Sequence, residues 1–167
     1  MFRRFGLSLI SFLFVGSAFA LEIGDSVPCL DIETLKPDGT RVEQCVFKKE
    51  QEGQYVIVDF FQTNCVFCQR NLPGLSELAK ATEGKAVTRS VGLDRKPEAI
   101  IAYVEKNRNF FFFDVVLDSQ RVVSKAFSIT GTPTTYVIGP DDTVVYKHEG
   151  LLQPVDLGEI RKLVGAE

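Results

Sequence analysis

The chain has 167 residues, 45% of them hydrophobic and 14 of them Phe, with a formal net charge of −3. That length fits one globular domain. It carries no internal repeat and no long Gly, Ser or Pro linker, and it lacks the basic excess that a phosphate backbone attracts, so nucleic acid is not an expected partner.

Residues 1–20 read as a targeting segment. Arg3 and Arg4 precede the apolar run "FGLSLISFLFVGSAF", and Ala18-Phe19-Ala20 supplies a small-x-small cleavage site. The run is short for a membrane span of about 20 residues, although an uncleaved anchor is the alternative. Cleavage after Ala20 removes two arginines and no acid, leaving a mature chain of residues 21–167 that is more acidic and is expected in the periplasm. Four cysteines remain, at 29, 45, 65 and 68. In an oxidising compartment these suit disulfides, each pair with its own role.

Along the chain, "LDIET" and "TRVEQCVF" flank "KPDG" and predict a hairpin over 30–46. "YVIVDFF" (55–61) is a continuous apolar, β-branched run, as in a strand covered on both faces. A helix is expected from about Cys65, with Cys68, Leu72, Leu75 and Ala79 on one face and a kink at Pro73. "KAVTRSVGL" (85–93) is the next strand. Pro97 then opens a helix with Ile100, Tyr103, Val104 and Asn107 on one face. "DVVLD" forms a short strand, and Ser119 is placed to cap a helix carrying Val122, Val123, Ala126 and Phe127. "TTYVIG" and "TVVYKHE" form a hairpin across "PDD". A last helix runs from about Pro154 to Val164, with Leu157, Ile160 and Val164 inward. The order β-β, β, α, β, α, β, α, β-β, α implies an α/β chain with a mixed sheet and helices on both faces.

The chemistry centres on "FFQTNCVFCQRNLP" (60–73). A Cys-x-x-Cys at a helix start meets unpaired N–H groups and the positive end of the helix dipole, both of which favour thiolate. Cys65 is then the nucleophile and Cys68, one turn in, the resolving thiol. A zinc site would need Cys29 and Cys45 to join them at separations that match no compact knuckle. A purely structural Cys65–Cys68 bond would close too short a loop to stabilise much.

On these residues the chain resembles the thioredoxin superfamily and, within it, the exported TlpA/ResA-like thiol–disulfide oxidoreductases. "IGDSVPCLDIETLKPDG" is similar to that family's N-terminal hairpin, "YVIVDFFQTNCVFCQRNLP" to its active-site strand and kinked helix, and "VVLDSQRVVSKAFSITGTPTTYVIGPDDTVV" to the stretch leading into its cis-proline. The resemblance implies a three-layer thioredoxin-like fold with a mixed central sheet, helices on both faces and an N-terminal β-hairpin. It implies Cys65, Cys68 and Asp59 as catalytic residues, with Asp59 the proton acceptor for the resolving thiol. Thr132 and Pro133 would position substrate, Pro133 as the cis-proline. It further implies protein thiol or disulfide substrates, a membrane electron donor as in cytochrome c maturation, no cofactor, no bound metal and a monomer. The chain departs from the family pattern at Asn64, where Trp is common, at Val66-Phe67, where Pro is usual, and at Asn71, where ResA-like members carry Glu.

Other residues carry two readings each. Cys29 and Cys45 lie on opposite arms of the first hairpin, near-symmetric about Pro37-Asp38, and in register would face each other as a structural disulfide or as an electron relay. His148, the only histidine, is either a strand-end surface residue or a copper ligand with Cys65 and Cys68, as in thioredoxin-fold Sco copper chaperones. A non-catalytic interaction module is a third reading of the whole chain. The run Phe110–Phe113 is either a strand entry sandwiched between helices or an exposed patch for a protein partner. Direction follows from Val66 and Phe67: neither supplies a charge or donor to Cys65, leaving the helix terminus and Arg70 to favour its thiolate. A less stabilised thiolate favours a reductase.

Overall fold

The computed structural model describes residues 21–166. The signal segment read over residues 1–20 lies outside the described residues. The run 55–61 forms the central strand β3, between a hairpin of β1 (Asp31–Leu35) and β2 (Arg41–Cys45) and the rest of the chain. There follow α1 (Val66–Ala81), β4 (Ala86–Gly92), α2 (Pro97–Lys106), β5 (Asp114–Leu117), α3 (Val122–Ala126), β6 (Thr134–Ile138), β7 (Val144–Glu149) and α4 (Pro154–Leu163). The seven strands make one mixed sheet in the order β2-β1-β5-β4-β3-β6-β7. The neighbours β5, β4 and β3 run parallel, and every other pairing is antiparallel.

Alternation along β3 explains why its apolar run is continuous. Ile57 and Phe61 pack on one face against Leu72, Leu75 and Leu78 of α1 and Ile100 of α2. Val56, Val58 and Phe60 pack on the other against Val46, Phe47, Val123 and Phe127. Both faces are buried, so neither needs polar positions. The helical layers are unequal: α1, α2 and α4 contribute to the first core, whereas the five-residue α3 and the N-terminal segment cover the second.

One local expectation changes, and one open reading is filled in. Ser119 does not cap α3; Asp118 does, its carboxylate accepting the N–H groups of Val122 (2.6 Å), Val123 (3.2 Å) and Ser124 (2.8 Å). A residue four positions ahead can do this because Arg121 takes a left-handed conformation (φ 61°) and folds the chain back over Asp118. The Phe run divides between the two readings: it leads into β5, which starts at Asp114, and exposes one of its rings. Phe111 and Phe113 are buried, Phe110 is half-buried and Phe112 is exposed beneath Lys80, whose Nζ lies 5.2 Å from its ring centroid. The run still alternates as an extended entry to β5 does, with Phe111 and Phe113 inward and Phe112 outward.

The first hairpin turns through Lys36–Thr40, with Gly39 at φ 86° and Thr40 N donating to Asp38 Oδ1 at 2.9 Å. Its register pairs Asp31, not Cys29, with Cys45. Centring the turn on Asp38 shifts the pairing by two residues, so Cys29 lies just before β1. There it bonds Cys45 across a Cα separation of 5.4 Å. This disulfide closes the open end of the hairpin across a sequence separation of 16 residues. Replacing both cysteines by serine is expected to cost about 3 kcal/mol of unfolding free energy in the chain-entropy model. Urea unfolding of the double variant checks this. Exchange at Cys65–Cys68 should persist, and its loss in a folded variant would instead mark a relay.

Candidate active site

β3 ends at Phe61, and Gln62-Thr63-Asn64 turns the chain into α1. The turn is pinned from β4's side: Asp94, two residues beyond that strand, accepts Thr63 N at 3.0 Å and Thr63 Oγ1 at 2.7 Å. Cys65 N donates to Gln62 O at 3.1 Å, and Gln69 Nε2 donates back to Thr63 O at 3.2 Å. Cys65 is thereby fixed as the N-cap of α1 in an extended conformation, with its Sγ accepting Cys68 N–H at 3.1 Å. A sulfur in that position meets an orphan backbone donor and the positive end of a 16-residue helix. Both favour its anionic form.

The cysteine pair is asymmetric. Cys65 and Cys68 are joined as a disulfide with Cα atoms 5.2 Å apart. Cys65 is half-buried, whereas Cys68 is only 4% exposed and packs with Leu72 and Leu75. Between them Val66 and Phe67 stand 56% and 58% exposed. Arg70, expected to favour the Cys65 thiolate, has its guanidinium over the Phe67 ring, 5.9 Å from the centroid.

The facing wall comes from the loop before β6. Cys65 Sγ lies 3.4 Å from the Thr132 carbonyl oxygen, a distance at which a thiol there would donate. The Thr132–Pro133 bond is cis. Pro133 O accepts Gly150 N at 2.8 Å, and Thr134 Oγ1 donates to Gly131 O at 2.9 Å.

Beneath α1 lies Asp59, 3% exposed. Its Oδ1 accepts Asn71 Nδ2 and Thr135 Oγ1, each at 3.0 Å. Burial pushes its carboxyl up to about 7, against the downward pull of the Thr135 and Asn71 hydrogen bonds. A carboxyl poised there takes and gives a proton near neutrality.

Cys65 thus faces Thr132 beside Cys68 at the C-terminal end of β3, and Asp59 on that strand is tied to β6 and α1; the residues that hold these positions are Thr135, Asn71 and Asp94. The last three were not singled out as site residues. Asp94 stands two residues beyond an interior strand, at the end of the sheet where open α/β sites gather, which is a signal. His148 joins no such cluster with the cysteines. Its Nδ1 lies 3.3 Å from Asp156 Oδ1 and its Nε2 3.3 Å from Leu151 O. Among the described residues, no group of three or more His, Cys, Asp or Glu is placed to hold a metal.

A family model described as the AhpC/TSA family matches residues 23–147. The chain belongs to the AhpC/TSA family. Within this thioredoxin-like family it is similar to the thiol–disulfide oxidoreductase ResA of Bacillus subtilis, 26% identical over 140 residues, covering 84% of this chain and 74% of that one. It is also similar to a probable thiol:disulfide interchange protein, DsbE-2, of Pasteurella multocida, 27% identical over 157 residues and covering 89% and 77%. Among solved structures, the thioredoxin domain of a thiol–disulfide oxidoreductase from Bacteroides vulgatus superposes with a TM-score of 0.69 at 26% identity, covering 87% of this chain and 99% of that domain. With its Cys65–Cys68 pair, this AhpC/TSA chain is an enzyme of the ResA/DsbE type, a thiol–disulfide oxidoreductase.

Proposed function

We propose that the enzyme is exported by residues 1–20 and reduces disulfides in protein substrates outside the cytoplasm. The observation that carries this reading is the asymmetry of the pair: an accessible Cys65 at a helix N-terminus, facing Thr132-Pro133, above a buried Cys68. In the dithiol form, the Cys65 thiolate attacks one sulfur of a substrate disulfide. A Cys65–substrate bond forms, and the other substrate sulfur leaves as a thiolate and takes a proton from solvent, replacing the one Cys65 gave up on ionising. Asp59 accepts the Cys68 proton. The Cys68 thiolate attacks Cys65 Sγ, forming the Cys65–Cys68 disulfide and releasing the second substrate thiolate, to which the proton returns. Two electrons and two protons have passed to the substrate, and a membrane thiol donor restores the dithiol, as in cytochrome c maturation. Thr132 and Pro133 align the substrate chain beside Cys65. The enzyme acts as a monomer and needs no cofactor.

Direction rests on Val66 and Phe67, which present carbon rather than charge to Cys65. Equilibration with glutathione, with Cys29–Cys45 intact, is expected to give a potential near the thioredoxin value of about −270 mV. A value near about −120 mV, that of a strong oxidase, would overturn the reductase reading. Phe67→His sets a protonatable cation beside Cys65 and is expected to favour the dithiol by about a hundredfold, or about 60 mV.

A further inference from the structure

Asn71 stands between the two halves of the site. It lies on α1 one turn beyond Cys68 and is 2% exposed. Its Nδ2 donates to Asp59 Oδ1 at 3.0 Å, and its Oδ1 accepts the backbone N–H of Leu152, also at 3.0 Å. Leu152 belongs to the connection between β7 and α4, and the same connection holds the facing wall through Gly150 N and Pro133 O at 2.8 Å. A backbone N–H can only donate, so Leu152 decides which end of the carboxamide faces Asp59. Turned over, the amide would set its carbonyl against the carboxylate and its NH2 against an N–H.

We propose that Asn71 is a positioning residue of the redox site: clamped by Leu152 N–H, it holds Asp59 Oδ1 as an acceptor, leaves Oδ2 to take and release the proton, and ties that carboxyl to the connection beside Pro133. The inference rests on Asp59 being the proton carrier. Thr135 Oγ1 is the second donor to Oδ1, and among the described residues no hydrogen bond ends on Oδ2. The carbonyl oxygen of a neutral acid still accepts, though more weakly than a carboxylate. Both donors are therefore satisfied in either state, and a proton can come and go at Oδ2 without re-forming the network. An amide at 71 also keeps a single titrating group in the pocket, where a second carboxyl would share one proton with Asp59.

The neighbouring groups leave the titration of Asp59 readable. Cys68 of α1 is held in the disulfide of the oxidised protein. Tyr103 of α2 is pushed up by burial and by the Asp59 charge. Thr135 and Ser90 flank Asp59 on β6 and β4 without ionising near neutrality. His148 of β7, across from Thr135, engages Asp156 of α4 and Leu151 O instead.

The test follows the side-chain carboxyl carbons by NMR in oxidised protein labelled with 13C-aspartate, alongside the pH profile of insulin reduction. The native enzyme is expected to titrate near pH 7, and Asp59→Asn to lack that step. Asn71→Leu removes a donor to the charged form and should move the step up by about one to two pH units. Asn71→Asp keeps an acceptor for Leu152 and should split the step into a coupled pair whose upper member lies above the native value. A folded Asn71→Leu enzyme that is less heat-stable yet titrates as the native one does would reduce Asn71 to a structural role. If that variant does not fold, two independent and unshifted carboxyls in Asn71→Asp overturn the proposal equally. A pH–rate step that survives in Asp59→Asn removes the proton-carrier reading and this proposal with it. Loss of the step in Asp59→Asn with no movement in either Asn71 variant removes the proposal alone.

Discussion

Asp59→Asn is expected to make the enzyme more stable at neutral and alkaline pH while slowing it. The carboxyl ionises near its ordinary value of 3.8 in the unfolded chain and near 7 when buried. Between those values the folded state holds more protons than the unfolded one, so unfolding free energy falls as pH rises. The stability linked to this group is whole below about pH 4, declines through the window, and is gone above about pH 7. A separation of about three pH units corresponds to about 4 kcal/mol. The substituted carboxamide would keep an oxygen for the Asn71 and Thr135 donors, so the change removes the charge and leaves the network in place. Urea unfolding of the oxidised proteins at about pH 5 and about pH 8 should show the native chain weakening with pH far more than the variant. Turnover of insulin should fall by about two to four orders of magnitude, the usual worth of a positioned proton carrier. Parallel stability profiles would mean that the carboxyl is hydrated in the folded protein and does not carry the strain of burial.

The elements with strong periodicity were legible in the amino-acid pattern. The run at 55–61 is a strand with those bounds because both faces of β3 meet a core, and Pro97 and Pro154 open their helices as their fixed φ and missing N–H favour. The Cys-x-x-Cys at a helix start was equally plain, since helix ends and reactive thiols share one electrostatic cause. What escaped were partnerships between residues far apart in sequence. Asp118, not Ser119, caps α3 because a left-handed Arg121 brings the helix back over it, and a backbone angle of that kind has no signature in an arginine. Asn71 stood out in sequence only as a missing glutamate. Its role depends on Leu152, 81 positions away. Cys29 and Cys45 are bonded two residues out of strand register, because the turn centres on Asp38 rather than on Pro37.

Asp59, Asn71 and Thr135 also show why the site is costly to build. An unpaired carboxyl in a core would be expelled or remain neutral. Two donors on Oδ1 offset only part of that cost, which keeps the proton exchangeable near neutrality instead of permanently bound or permanently lost. The support comes from α1 and β6, the elements that carry Cys68 and follow Pro133, so the proton carrier is held by the framework that presents the thiol and the substrate wall.

Cys68→Ser should stop the cycle half-way and leave the substrate attached to Cys65. Cys65 is half-buried and its sulfur faces a backbone donor and the Thr132 carbonyl, whereas Cys68 is 4% exposed beneath the first turn of α1. An incoming disulfide therefore meets Cys65 first, and only an attack from inside the helix can release it. Without the second sulfur that attack is absent, and a serine hydroxyl does not displace a thiolate at neutral pH. Turnover is expected to fall by about a thousandfold or more, since covalent catalysis loses its second step. One equivalent of substrate should remain on the protein under non-reducing conditions, and peptide mass mapping should place it on Cys65. Cys65→Ser should lose turnover equally and hold no adduct, because the remaining thiol is covered. An adduct forming on Cys68 in Cys65→Ser as fast as on Cys65 in Cys68→Ser would show that burial does not order the two thiols, and the assignment of attacking and resolving sulfur would then fall.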